Sequence, residues 1–481
     1  MSFIKKYWKI IVTAILAVLS ASLLVSTLVL ANKNAKRAQV IKEQKEIIDH
    51  ESQKGNEVYD FYLTMGTMPT LYATLNAYQN KNPNTYMWFY RGNTISKQYS
   101  ADYIHYFNSQ STTNKNSSTD YKGIRNKVRD IFSKNPSAKF NLYCDDLRVR
   151  YVLDIFVAAG VDFEDLNVVL LSDGTGTYSN YASITEEAYT SQATEWANYV
   201  SEYVANRSNK DFTKFSLSNT SSDQAMEMQH YAFYLSTFSN VSYWIQHPDY
   251  LKNDKSTTLN TQRYNMNIVK KDPKAIYNSL DVATKNEYQQ VVLANALVDS
   301  TTLSTLEDAQ QYFDNQLGAR DKEVVLILGT SYNGLEHNKA YIDQTLAFYT
   351  PTLDNGDNTK VKYKGKTYTI NAGDTTLTIE GKTFTIGELG VYLFFKGHPA
   401  HPANEELTNY FNDNNIVVLP HRTPVETLYW MYNVKVGGYN STSFLSCDKN
   451  QVEFFFGDVS GAVKTMQELG FFDGAVSFSE T

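Results

Sequence analysis

From about residue 57 to the C-terminus, short apolar runs alternate with longer amphipathic stretches, the pattern of strands and helices taking turns. Residues 58–63 (VYDFYL) read as a strand, 69–78 as a helix, and 86–90 (YMWFY) as a second strand with no proline to confine it to a sheet edge. Residues 109–120 (SQSTTNKNSSTD) form a polar loop. Strand–helix–strand spacing recurs over 139–143, 152–159 and 168–171. Helices are then expected to dominate 183–313, with 225–238 and 287–296 the clearest. A second series opens at 324–328 (VVLIL) and continues through 392–395, 416–419, 434–436 and 454–456. Within it, 360–370 (KVKYKGKTYTI) and 377–386 (LTIEGKTFTI) alternate apolar and polar residues and echo each other, which predicts the two strands of an inserted β-hairpin. A helix over 463–469, followed by Phe471 and Phe472, is expected to cover a surface elsewhere in the fold. Strands and helices alternating twice over predict two α/β domains with parallel sheets, and in such sheets ligands bind at the carboxyl ends of the strands.

The N-terminus follows a different pattern. Residues 10–31 carry no charge and are mostly Ile, Val, Leu and Ala. As a helix they reach about 33 Å, enough for a hydrocarbon core of about 30 Å. Lys5, Lys6 and Lys9 precede the run, with Tyr7 and Trp8 as interfacial aromatics. A retained single-pass transmembrane helix is expected here; a cleaved signal peptide, with an apolar region of about 7–15 residues, is the alternative. The leading lysines favour a cytoplasmic N-terminus and a cell-membrane location. Lys33, Lys36, Arg37, Lys42 and Lys45 after the run leave the side of the following domain open. Residues 32–55, charged and Gln-rich, read as a stalk.

Composition removes several function classes. The 481-residue chain has a net charge of −7 and no basic run beyond the N-terminal segment, which makes it a poor candidate for nucleic acid, so no nucleic-acid partner is expected. Hydrophobic residues at 42% and charged residues at 20% exclude wholesale disorder. Cys144 and Cys447 are too few for a disulfide scaffold or a Cys-only metal cluster. The 36 Tyr and 25 Phe point either to aromatic-walled polar grooves of the kind that hold sugars or to compositional drift.

Four loops after expected strands carry candidate chemistry. In 171–178 (LSDGTGTY), Asp173 stands before a glycine that lets the backbone approach a substrate, although Asp-Gly is also a common turn. Lys396 and His398, two apart after an apolar strand, could neutralise and protonate one anionic group such as a leaving phosphate. His401 makes a metal pair conceivable, but no acidic and imidazole constellation surrounds it. Glu426 falls at a helix start in 420–426 (PHRTPVE), where a carboxylate also complements the helix dipole. Glycines followed by hydroxyls in 435–443 (KVGGYNSTS) suit a phosphate, without the P-loop pattern. A nucleotide in one crevice would account for all four loops together.

LSDGTGTY, LFFKGHP, PHRTPVE and KVGGYNSTSF stand in the order and spacing of the Pasteurella-type bacterial sialyltransferases, glycosyltransferase family 80, which this chain resembles from about residue 58 onward. The resemblance implies an α/β fold of GT-B type, two Rossmann-like domains facing a central cleft, here with an added N-terminal transmembrane helix. It implies an inverting transfer of sialic acid from CMP-sialic acid to a galactoside, with no metal required; together with the span expected at 10–31, the enzyme would be membrane-anchored. Carried over by position, Asp173 resembles the general base. His398 resembles the residue that protonates or stabilises the departing CMP phosphate, with Lys396 beside it. Glu426 resembles the ribose-binding acid, Ser441 and Thr442 the phosphate-holding hydroxyls, and Gly329 and Thr330 the grip on cytosine. Asp145 lies near the acceptor contact. Ser172 stands where the family has a second carboxylate, and Thr442 where it has a second serine.

On this reading residues 1–31 are tail and anchor and 32–55 the stalk. Residues 56–317 form the acceptor-side domain, and 318–458 the nucleotide-sugar domain with the hairpin insertion at 360–386. Residues 459–481 return to the N-terminal domain. Partners are a nucleotide-sugar donor, a glycan acceptor and the membrane. A GT-B transferase using another nucleotide sugar, or a catalytically silent binding or assembly protein of the same fold, are the alternatives.

Overall fold

The computed structural model describes residues 57–89, 95–107, 117–146, 149–206, 231–299, 302–399, 401–439, 441–457, 464–468 and 470–479. Strands β1 (Val58–Thr64), β2 (Thr85–Phe89), β3 (Ile104–Tyr106), β4 (Lys139–Asp145), β5 (Leu166–Leu171), β6 (Val241–Ile245) and β7 (Ile268–Lys270) form one sheet. Every pairing in it is parallel, and the order is β3-β2-β1-β4-β5-β6-β7. Consecutive residues of its inner strands, such as Phe61, Tyr62 and Leu63, are buried, as a parallel sheet covered on both faces requires. β6 and β7 lie in the stretch expected to be helical. Five and three residues are too short for periodicity to separate a strand from a buried helical turn.

The second series contains β8 (Glu323–Leu328), β9 (Thr352–Asp354), β10 (Asp357–Tyr363), β11 (Lys366–Thr369), β12 (Thr376–Ile379), β13 (Lys382–Thr385), β14 (Val391–Lys396), β15 (Val417–Val418), β16 (Lys435–Gly438), β17 (Phe454–Phe456) and β18 (Val476–Phe478). A parallel sheet in the order β15-β14-β8-β16 is its core. Helices Leu335–Tyr349 and Glu405–Asp413 contribute Tyr341, Ile342, Leu407 and Phe411 to the cluster that buries Val325, Ile327, Leu393 and Phe395. Strand order reverses between β1 and β4 in the first sheet and between β8 and β16 in the second. Those reversals are where ligand crevices open in α/β sheets.

The inserted piece differs from the single hairpin expected. β10 turns back on itself into β11, and β12 into β13, as two separate antiparallel hairpins. The turns are Lys364-Gly365 and Glu380-Gly381, all four residues with φ between 48° and 79°. Positive φ at both central positions is the two-residue hairpin turn whose twist matches the strands. Val361, Tyr363 and Leu377 then bury one hairpin against the other.

Many of the described tyrosines are core residues. Tyr62 stacks on Tyr143 with centroids 4.3 Å apart, Tyr341 on Phe456 at 4.8 Å, and Tyr72, Tyr78 and Tyr288 are almost wholly buried. For these rings the groove-wall reading does not hold.

Both sheets belong to one compact unit, Val58–Asp130 with Lys139–Thr481. Ile131–Ala138 belongs to a second, in which the Asn135 N–H donates to the Ile131 carbonyl at 2.8 Å and Asn135 Oδ1 accepts from the Ser137 hydroxyl at 2.7 Å. In the terminal segment, helix Lys464–Glu468 leads to Phe471, whose ring centroid lies 6.3 Å from His247 and 6.2 Å from Tyr250. β18 pairs with β17 in parallel.

The membrane expectation is corrected. Among the described residues no helix is long and apolar enough to cross a membrane. The two longest helices, Glu186–Asn206 and Ser117–Lys134, carry polar side chains in every turn, which hydrocarbon would not solvate. The expected span at 10–31 lies outside the described residues. A transmembrane helix, a membrane partner and a single-pass membrane location therefore form no part of the fold or the function described below.

Candidate active site

Register brings the chemistry to one end of each sheet. In the first, Leu63 pairs with Cys144, and Leu171 with both Asp145 and Trp244, so the loops after β1, β4, β5 and β6 emerge together. β4 ends in Asp145 and continues into Asp146, both buried. Asp145 Oδ2 accepts from the Met65 N–H at 2.5 Å and Oδ1 from the Gly66 N–H at 2.9 Å. Asp146 Oδ1 accepts from the Asp173 N–H at 3.3 Å. Asp146 Oδ2 accepts from the hydroxyls of Thr177 at 2.5 Å and Tyr243 at 2.6 Å. Burial, reinforced by the Asp146 charge, pushes the Tyr243 phenol well above its usual range, so it remains a donor. These donors are what make two buried carboxylates tolerable, since an unpaired one would cost roughly several kcal/mol. Asp173 itself, between β5 and helix Thr175–Ser183, is partly exposed. Asp145, expected near an acceptor, has its two oxygens engaged by backbone amides.

In the second sheet, Leu328 sits between Lys396 and Gly438. Gly329 and Thr330 follow β8, His398 follows β14, and Ser441 and Thr442 follow β16. The Gly329 N–H donates to the Lys396 carbonyl at 2.9 Å. Lys396 is buried, and its ammonium donates to the carbonyls of Gly397 at 2.9 Å and His421 at 2.6 Å. Burial lowers that ammonium to about 8, while the charges of Glu426 and Asp299 pull it back up. His398 is partly exposed; its carbonyl accepts from the His401 N–H at 3.0 Å, and the two rings lie 5.1 Å apart. Glu426, in the first turn of helix Val425–Met431, is buried and accepts from the Ser443 hydroxyl at 2.6 Å. Ser441 Oγ accepts from the Ser443 N–H at 3.2 Å and so caps the short turn Thr442–Ser446.

Two residues escaped the sequence reading. Asp299 ends helix Ala296–Asp299 and is almost wholly buried, 3.3 Å from His421 Nδ1 and 3.1 Å from Arg422 Nε, and it accepts from the Arg422 N–H at 2.6 Å. Burial lowers the His421 imidazole, partly offset by the Asp299 charge. Asp146 is the other; the only signal was a pair of acids at a strand end, which is also a common turn.

The two sets of loops meet. A methyl group on Gly174, the residue after Asp173, would stand 3.0 Å from Thr442 Cγ2. His247 Nε2 lies 3.0 Å from the Leu445 carbonyl, the Ser446 hydroxyl 3.5 Å from Met68 Sδ, and Lys274 Nζ 2.6 Å from Asp448 Oδ2. The segment 442–448 thus rests on the loops of the first sheet. Among the described residues no three His, Cys, Asp or Glu side chains converge to hold a metal ion.

No family model matches the chain, and no curated protein matches it. Solved structures share its fold. An α/β-galactoside α-2,3-sialyltransferase from the luminous marine bacterium Photobacterium phosphoreum aligns with a TM-score of 0.55 at 15% identity, over 88% of this chain and 98% of the other. The GT-B domain of a sialyltransferase from Photobacterium damselae aligns with a TM-score of 0.50 at 16% identity, over 88% and 100%. A 2,6-sialyltransferase of Photobacterium sp. JT-ISH-224, solved with CMP and lactose, aligns with a TM-score of 0.53 at 14% identity, over 88% and 78%. The chain therefore has a sialyltransferase-like GT-B fold. At this identity the likeness establishes the fold alone.

Proposed function

We propose that the chain is an inverting glycosyltransferase of the Pasteurella type that moves sialic acid from CMP-sialic acid to a galactoside. The observation that carries this reading is the meeting of the Asp173–Gly174 loop with Thr442, which joins an acid-bearing loop to a hydroxyl-bearing one. In such a reaction the acceptor oxygen attacks the anomeric carbon and the bond to the phosphate oxygen breaks, its electron pair leaving with CMP. Asp173 takes the acceptor's proton. His398 donates a proton or positive charge to the departing phosphate, and Lys396 adds charge from beneath. Ser441 and Thr442 hold the phosphate, Glu426 the ribose, and Gly329 and Thr330 the base. Glu426 would meet the ribose while bound to Ser443, so the two act as one polar unit. Asp145 would serve the acceptor side indirectly, through the loop it holds.

Calorimetry with CMP, UDP and GDP tests the donor, followed by CMP release from CMP-sialic acid with lactose as acceptor. CMP should bind at least about tenfold tighter than the other two, a difference of about 1.4 kcal/mol. Tighter binding of UDP or GDP would overturn the donor assignment.

A further inference from the structure

Gly66 poses a question that its backbone does not answer. It has φ −74° and ψ 159°, extended values that any residue adopts, and it precedes helix Thr67–Asn80 at a position that favours Ser, Thr, Asp or Asn. What fills the place of a Cβ there is the end of the Asp173 side chain. A Cβ built there would stand 1.7 Å from Asp173 Oδ1 and 2.8 Å from Asp173 Cγ. The carboxylate of Asp173 lies directly over the Gly66 Cα.

Both sides of that contact are tied down by adjacent residues of one strand end. Asp145 accepts from the amides of Met65 and Gly66 and so fixes the surface under the carboxylate. Asp146 accepts from the amide of Asp173 and from Thr177 and so fixes the backbone that carries the carboxylate. The Ser172 and Thr177 hydroxyls lie 2.9 Å apart, closing the same turn.

We propose that Gly66 and Asp146 are positioning residues for Asp173, Gly66 as the seat of its carboxylate and Asp146 as the anchor of its amide, an inference that rests on reading Asp173 as the base. Gly66→Ala forces the carboxylate off its seat. Asp146→Asn puts an amide where one oxygen accepts from the Asp173 N–H and the other accepts from both the Thr177 and Tyr243 hydroxyls, so whichever side takes the NH₂ group sets a donor facing a donor.

The test is a double-mutant cycle in CMP release from CMP-sialic acid with lactose. Asp173→Asn, Gly66→Ala, Asp146→Asn and the two doubles carrying Asp173→Asn are compared, with CMP affinity and thermal melting alongside. Gly66→Ala should lower kcat by about 10²-fold, the usual effect of an ångström-scale misplacement, with CMP affinity unchanged. On the Asp173→Asn background neither change should lower kcat further, because the group they position is gone. Multiplicative losses on that background would overturn the positioning role while leaving the base intact. Full turnover in Asp173→Asn, or none in the parent protein, would overturn the base reading and this inference with it. If Asp146→Asn does not fold, Gly66→Ala, which needs no backbone change, decides the question alone.

Discussion

The loop after β5 and the loop after β14 solve the same problem by opposite means. In the first, buried carboxylates accept from the backbone amides of neighbouring loops: Asp145 from Met65 and Gly66, Asp146 from Asp173. In the second, a buried ammonium donates to the carbonyls of Gly397 and His421. Each buried charge is satisfied at least in part by loop backbone, and in each case a partly exposed side chain, Asp173 or His398, stands nearby. A buried charge of this kind works as a clamp on loop geometry, and the sign decides which backbone groups it can clamp. The acidic clamp is closed by side-chain hydroxyls, whereas the basic one is backed by distant carboxylates, Glu426 and Asp299. The acidic loop should therefore tolerate changes of pH that alter the basic one.

The largest expected effect separates the two exposed groups. Asp173→Asn should cut turnover by about 10²–10⁴-fold with CMP affinity nearly intact, whereas His398→Ala should lose turnover and donor affinity together. Equal loss of CMP affinity in both variants would break the division of labour. Next comes Asp299→Ala, which frees the His421-Arg422 loop on the basic side. It should lower unfolding free energy by about 1–3 kcal/mol in urea titrations, the range for a buried partner removed, and weaken CMP binding. Unchanged stability would show that the clamp on that side is Lys396 alone.

The Lys396 ammonium sharpens the comparison through pH. It titrates near 8 in the folded chain against a usual 10.5, so the unfolded chain binds more protons between those values. Stability should accordingly rise with pH across that window, and Lys396→Met should flatten the rise in urea titrations run at successive pH values. If the bound phosphate favours the charged form, CMP binding above pH 8 should take up a proton that it does not take up near pH 7. Calorimetry in two buffers of unlike ionisation heat reads this directly, and absence of uptake would remove Lys396 from the phosphate's surroundings. The smallest effect is a control outside both loops. Gly381→Ala, at φ +79° in the second hairpin, should cost about 1 kcal/mol and leave CMP affinity unchanged.

Residue pattern alone determined the alternation of strands and helices, the second apolar series from β8 onward, and the strand end, loops and helix start that carry Lys396, Asp173, His398 and Glu426. Those features are local: a buried strand must be apolar over its own few residues, and the loop after it must be polar. Tertiary structure decided the rest. The two inserted stretches fold each upon itself because two adjacent residues adopt positive φ at Lys364-Gly365 and again at Glu380-Gly381, a turn signal hidden inside what looked like continuous alternation. The strand Val241–Ile245 was invisible because its five residues read equally well as a helical turn until a neighbour paired with them. Asp145, Asp146 and Asp299 acquired their roles only from chain segments many residues away, whose amides and cations converge on them. Hydrogen-bond partners brought together by register and packing leave no periodic trace in the sequence, so the clamps under Asp173 and around Lys396 could be found only in three dimensions.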